Sequence, residues 1–164
     1  MKNLNQYIKE KLIINKDYND KMIVVKSFEE LRKIIEQRYE EYGPGTKQNP
    51  IDFNDIDVSN IIYFDNNKGI FEGTKFKYID ISDWDVSNIK SMRGMFYLCK
   101  KLKSVGDLSK WDVSKVESMI SMFAHCKTLT SVGDLSNWDV SNVKYMSYMF
   151  HDSGIKNTPS WYKV

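Results

Sequence analysis

One phrase returns along this chain at a fixed interval: Trp84-Asp85-Val86-Ser87, Trp111-Asp112-Val113-Ser114 and Trp138-Asp139-Val140-Ser141, each 27 residues after the last. An upstream copy, Ile56-Asp57-Val58-Ser59, has Ile in place of Trp. A fixed period in the range of ~20–50 residues predicts units that stack on their neighbours, since one short unit cannot bury its own apolar side. That expectation narrows the fold more than any bulk property of the chain.

Aligned on Trp, the copies form ladders of near-identical side chains. Val86, Val113 and Val140 make one; Ile89, Val116 and Val143 another; Met92, Met119 and Met146 a third. Met95, Met122 and Met149 follow, then Phe96, Phe123 and Phe150. Within one copy, Val116, Met119, Met122, Phe123 and Cys126 fall at i, i+3, i+6, i+7 and i+10, a stripe that predicts a short amphipathic helix. Ser114 with Glu117 three residues on reads as its capping box. The stretch Leu129 to Leu135 reads as extended, with Gly133, like Gly106, at a bend. Each unit is thus expected to be strand, turn and helix, stabilised mainly by its interfaces with its neighbours.

The Trp-Asp pair reads as scaffold. Asp85, Asp112 and Asp139 stack like charges, yet no His or further carboxylate repeats beside them at metal-ligand spacing. Asp closes an Asx turn with a backbone N–H two residues on, which offsets the repulsion, so no metal or other cofactor is assigned. Trp84, Trp111 and Trp138 are read as core wedges. Cys99 and Cys126, also 27 apart, are read as buried free thiols on the inward face. His125 and His151 lie two and one residues after Phe123 and Phe150, at non-equivalent positions, and are read as rim residues.

At this point the unit Asp-Leu-Ser-x-Trp-Asp-Val-Ser-x-Val-x-x-Met-x-x-Met-Phe-x-x-Cys-x-x-Leu-x-Ser resembles the repeat of the BspA-like leucine-rich-repeat family. The likeness is close over Asp80 to Phe150 and weaker over Asp52 to Ile79, where Phe71 lies twelve residues after Ser59 rather than nine. The resemblance implies an α/β repeat: a short leucine-rich-repeat-like solenoid of 27-residue strand-turn-helix units. It also implies protein binding without catalysis, in bacteria, mycoplasmas and their phages. A generic module for a bacterial host protein, a phage-encoded inhibitor of a host defence system, and a surface adhesin or virion-associated binding protein all belong to that setting.

Three regions follow: a cap over 1–50, four units over 51–150 with the first degenerate, and a C-terminal cap over 151–164. In the head, Leu4, Tyr7, Ile8 and Leu12 share a helical face, and Met22 to Val25 reads as a strand. Ser27-Phe28-Glu29-Glu30 opens a second helix whose apolar face is Phe28, Leu31, Ile34, Ile35, Tyr39 and Tyr42, stopped at Gly43-Pro44-Gly45. This is the expected helical N-terminal cap. In the tail, Ile155 and Trp161 are expected to cover the last unit's edge, with Pro159 blunting further pairing.

Charge and motifs exclude several functions. With 24 basic against 22 acidic residues the chain is +2, which argues against nucleic acid as a partner. No apolar run is long enough for a bilayer and Met1 to Asn15 lacks a signal-peptide core, so a cytoplasmic location in a bacterial cell is expected, extracellular only if a leader was removed. No phosphate loop, nucleophile elbow or His-Glu-x-x-His appears, and no catalytic residue is assigned. The candidate protein-binding residues are Tyr97, Lys100, Lys101, Lys103 and Lys127, with Tyr145 and Tyr148 on the last unit, since exposed Tyr beside cations is common at interfaces. A solenoid edge left uncapped would also leave room for a homodimer.

Overall fold

The structure is a computed structural model that describes residues 22–65 and 68–163. The helical face foreseen at Leu4 to Leu12 lies outside the described residues. Among them stand one helix and four two-residue strands: β1 (Ile23–Val24), α1 (Phe28–Tyr42), β2 (Ile51–Asp52), β3 (Ile56–Asp57) and β4 (Ile79–Asp80). β1 pairs parallel with β3, Ile23 against Ile56, and β2 pairs parallel with β4, Ile51 against Ile79.

Helix α1 begins and ends where its caps require. The Ser27 side chain accepts from Glu30 N at 3.2 Å, and Glu30 Oε2 reaches back to Lys26 N at 2.8 Å, one residue before the expected capping-box partner. Gly43, at φ 71°, turns its N–H onto Tyr39 O at 2.9 Å. Leu31, Ile34 and Ile35 are buried, whereas Tyr42, assigned to the same face, is 61% exposed. Arg32 and Arg38 tie the helix to the chain beyond: Arg32 Nη1 donates to Gly69 O at 3.0 Å, and Arg38 pairs with Asp55 at 2.7 Å.

The expected fold class needs correction. The described residues hold one helix and two two-stranded sheets, so the leucine-rich-repeat-like solenoid of strand-turn-helix units is not formed. The helical N-terminal cap is overturned as well, because α1 places its apolar face in the same buried cluster as Trp84 and Phe123 instead of forming a separate lid. The segment from Met92 to Leu102, like its copies, is a succession of turns. Met95 N bonds Met92 O, Tyr97 N bonds Gly94 O and Cys99 N bonds Phe96 O, each three residues back. The amides between them leave the unit altogether: Met92, Gly94, Phe96 and Leu98 donate to the carbonyls of Ser118, Ile120, Met122 and Ala124. An α-helix would have spent every one of those amides on the carbonyl four residues back.

Backbone handedness enforces the turns. Gly94, Ser121 and Tyr148 lie 27 apart and all have positive φ, at 59°, 54° and 60°. Leu98, His125 and Asp152 do the same at 59°, 62° and 51°. Two left-handed residues per copy stop any helix, because a right-handed helix cannot pass through a residue at positive φ; holding a non-glycine residue there costs ~1–2 kcal/mol, which the surrounding packing offsets.

The side-chain ladders are buried except at Val140, Val143 and Met146 of the last copy, which are partly buried. Phe71, Phe96, Phe123 and Phe150 stack with successive centroid distances of 5.3, 5.4 and 5.7 Å. The indole N–H of Trp84, Trp111 and Trp138 donates to Phe53 O, Ile81 O and Leu108 O at 2.8, 3.3 and 2.9 Å. Cys99 and Cys126 are free and buried, and their thiols donate to Phe71 O and Phe96 O, each at 2.9 Å.

Candidate functional site

The turns that carry the left-handed residues also carry the most chemically varied side chains, since the stacked positions around them are fixed by packing. Tyr97 sets its ring edge-on to His125 at 5.6 Å; His125 meets His151 at 5.4 Å; His151 meets Tyr148 at 5.6 Å. These four rings form a strip that crosses three successive copies, ending at Tyr148, which is 64% exposed. Asp152 sits beside the strip, with Oδ2 3.0 Å from His125 Nδ1 and 3.1 Å from Lys127 Nζ. Hydrogen bonds from His125 and then Lys127 hold the Asp152 carboxyl below its usual range.

Past Tyr97 the strip opens into a polar groove of about 520 Å³, lined by Asp65, Lys68, Glu72, Arg93, Tyr97 and Ser121 among others. Glu72 Oε2 accepts from Gly69 N at 2.9 Å, and Asp65 Oδ1 is buried with no hydrogen-bond partner. A larger hollow, about 970 Å³, lies between α1 and the 44–52 segment.

Of the residues foreseen as a binding patch, the strip brings together Tyr97, Lys127 and Tyr148. Lys103 points elsewhere, its ammonium 5.9 Å from the centre of the Tyr78 ring. Lys100 and Lys101 are exposed. Tyr145, 58% exposed, ends a row of backbone bridges running Tyr63, Ser91, Ser118, Tyr145, and its neighbour Lys144 pairs with Glu117 at 2.7 Å. Alignment on Trp puts His125 and His151 at different positions and so marks them only as rim residues. The contact between their rings is diagonal, 26 residues apart and not 27, and follows the backbone: His125 N donates to His151 O at 2.8 Å, the same 26-residue step taken by Met119, Ser121 and Phe123.

The aspartates are held in turns. Asp85, Asp112 and Asp139 accept through Oδ1 from the N–H of Ser87, Ser114 and Ser141, all at 3.0 Å. A second row behaves alike, with Asp80, Asp107 and Asp134 bonded to the amides of Ser82, Ser109 and Ser136. Bonds from Ser114 and Ser141 lower Asp112 and Asp139, and bonds from Ser109 and Ser136 lower Asp107 and Asp134. Trp84, Trp111 and Trp138 are 3–4% exposed, each wedged under the neighbouring copy. No group of three or more His, Cys, Asp or Glu among the described residues is arranged to hold a metal ion. Nor is any described helix long and apolar enough to cross a membrane.

No curated protein and no solved structure matches the chain. A family described as a Mycoplasma protein of unknown function, DUF285, matches residues 49–161, from just before β2 through Trp161. That span takes in every copy of the repeat and the whole aromatic strip, and on it the chain belongs to the DUF285 family.

Proposed function

We propose that this protein is a non-enzymatic recognition module that binds another protein, a component of a bacterial host cell, through the strip of Tyr97, His125, His151 and Tyr148 with Lys127 and Asp152 at its side. The observation that carries this reading is the strip itself. Ring after ring lies at a rim of stacked turns whose interior is fully occupied, and its last member, Tyr148, is mostly exposed. Aromatic side chains flanked by a cation supply contact area at low entropic cost, which is what interface centres favour. The likeness of the unit to the BspA-like repeat supports the same reading, and inhibition of a host defence component is the form of it that suits a phage-borne protein.

Capture from lysate of a candidate host bacterium, comparing the parent with the Tyr97→Ala/Tyr148→Ala variant, tests this. A host protein retained by the parent and lost by the variant supports the reading. Recovery of no protein, together with retention on a nucleic-acid column that fades as salt rises, sinks it.

A further inference from the structure

Every inner copy gives amides forward. Met92, Gly94, Phe96 and Leu98 donate to Ser118, Ile120, Met122 and Ala124; Met119, Ser121, Phe123 and His125 donate to Tyr145, Ser147, Met149 and His151. The equivalent amides of the last copy belong to Met146, Tyr148, Phe150 and Asp152, and they meet no acceptor among the described residues. Carbonyls are not free in the same way: those of Tyr145, Ser147, Met149 and His151 are taken by the copy before, and those of Met146, Tyr148 and Phe150 close turns with Met149, His151 and Ser153. The last edge is therefore a row of donors.

The opposite end is finished. There the carbonyls of Gly69 and Ile70 accept from Arg32 of α1, at 3.0 and 3.4 Å. Side chains tell the same story at the open edge. Val140, Val143 and Met146 are only partly buried, whereas their counterparts Val113, Val116 and Met119 are at most 1% exposed. Trp161 and Tyr162 cover the Trp138 and Phe150 side of that edge.

From this we infer that the edge at Met146 to Asp152 receives a backbone segment of a different protein, which lays a row of carbonyls on the four amides and apolar side chains on Val140, Val143 and Met146. This inference rests on the protein-recognition reading and narrows it to backbone addition. A second copy does not fit. Two such edges would set donors against donors, and the acceptor end of another copy is closed by β1 on Asp55 O and Asp57 O and by Arg32 on Gly69 O and Ile70 O. Amides that a docking partner takes out of water must meet acceptors there, so an acceptor-bearing chain is what this surface selects.

The test uses the full chain labelled with ¹⁵N, followed by amide hydrogen exchange, with a synthetic peptide of residues 111–137 as probe because it carries the required carbonyl row. In the free chain the amides of Met146, Tyr148, Phe150 and Asp152 are expected to exchange at least tenfold faster than those of Met119, Ser121, Phe123 and His125. Saturating peptide should slow the first set tenfold or more, and Val143→Asp/Met146→Asp should abolish that slowing while leaving the second set as in the parent. Slow exchange of the edge amides in the free chain at every dilution would show the chain's own residues there and overturn the inference. So would slowing that grows with protein concentration, which marks a second copy, or a peptide that fails to bind or slows other amides. A host protein still captured by Val143→Asp/Met146→Asp but lost by Tyr97→Ala/Tyr148→Ala would sink the edge and leave the recognition reading standing.

Discussion

Trp161 stacks on Trp138 with ring centroids 6.3 Å apart and planes 12° from parallel, and its indole N–H donates to Leu135 O at 2.8 Å. It thus repeats what Trp138 does to Leu108 O, although it follows Trp138 by 23 residues and not 27. The tail has left the repeat in sequence but keeps one of its side-chain positions. Trp161→Ala should destabilise the protein by about 1–3 kcal/mol, below the ~3–5 typical of a fully buried aromatic because Trp161 is only partly buried. Trp161→Phe, which keeps the stack and loses the hydrogen bond, should recover all but about 1 kcal/mol. Urea midpoints check this, and equal losses for the two variants would show that stacking contributes nothing.

Two glycines should respond to the same substitution very differently. A Cβ on Gly69 would meet Gly94 O at 1.9 Å, backbone against backbone, so Gly69→Ala should cost several kcal/mol or prevent folding. A Cβ on Gly94 would find its nearest atom, Tyr97 Cβ, at an ordinary 3.6 Å. Its cost is that of a positive φ alone, about 1 kcal/mol, and Ser121 and Tyr148 already bear it in the copies that follow. Thermal unfolding of both variants decides it, and similar melting temperatures would refute the assignment.

Much of this was legible from the sequence. The period placed the inward ladders, since Val113, Met119, Met122, Phe123 and Cys126 are all buried, and Ser27 and Gly43 marked α1 to the residue. The helix read at Val116 to Cys126 was not there, because turns closing every third residue put side chains at i, i+3, i+6 and i+7 inward as a helix does. What separates the two is handedness, and only Gly94, His125 and Asp152 belong to residue types that favour positive φ; Leu98, Ser121 and Tyr148 give no such sign. The aromatic strip was hidden for a related reason. Tyr97 and Tyr148 were singled out, but the histidines joining them meet across copies with an offset that an alignment on Trp erases.

Acid should weaken the fold in part through its turn aspartates. Asp107, Asp112, Asp134 and Asp139 lie below their ordinary values because of the bonds from Ser109, Ser114, Ser136 and Ser141. A depressed folded value stabilises the fold above the unfolded value of about 3.9, and the contribution is lost as pH falls through the folded value. Replacing all four by Asn keeps an acceptor for each turn but removes the titration. Urea midpoints between about pH 5 and 2 should fall less steeply for that variant than for the parent, and parallel curves would place the acid sensitivity elsewhere.

The thiols should report global opening. Cys126 is pushed up by its contact with Cys99 and by burial, and both side chains are fully enclosed. Ellman's reagent should react with neither in the folded protein and with both in step with unfolding in urea; fast labelling without denaturant would show that this part of the interior opens locally. Cys126→Ser should cost less than Cys126→Ala, because a hydroxyl can still donate to Phe96 O.

The one-way direction of the amide row has a consequence for how such chains vary in length. Each copy offers donors to the one after it and carbonyls to the one before, so a duplicated 27-residue block inserted between Trp84 and Trp138 would find both of its sides already answered. Arg32 at one extremity and the Met146 to Asp152 amides at the other would remain as they are. Gain or loss of one such block would change the distance between the helix and the open edge and leave the contacts of both extremities as they are.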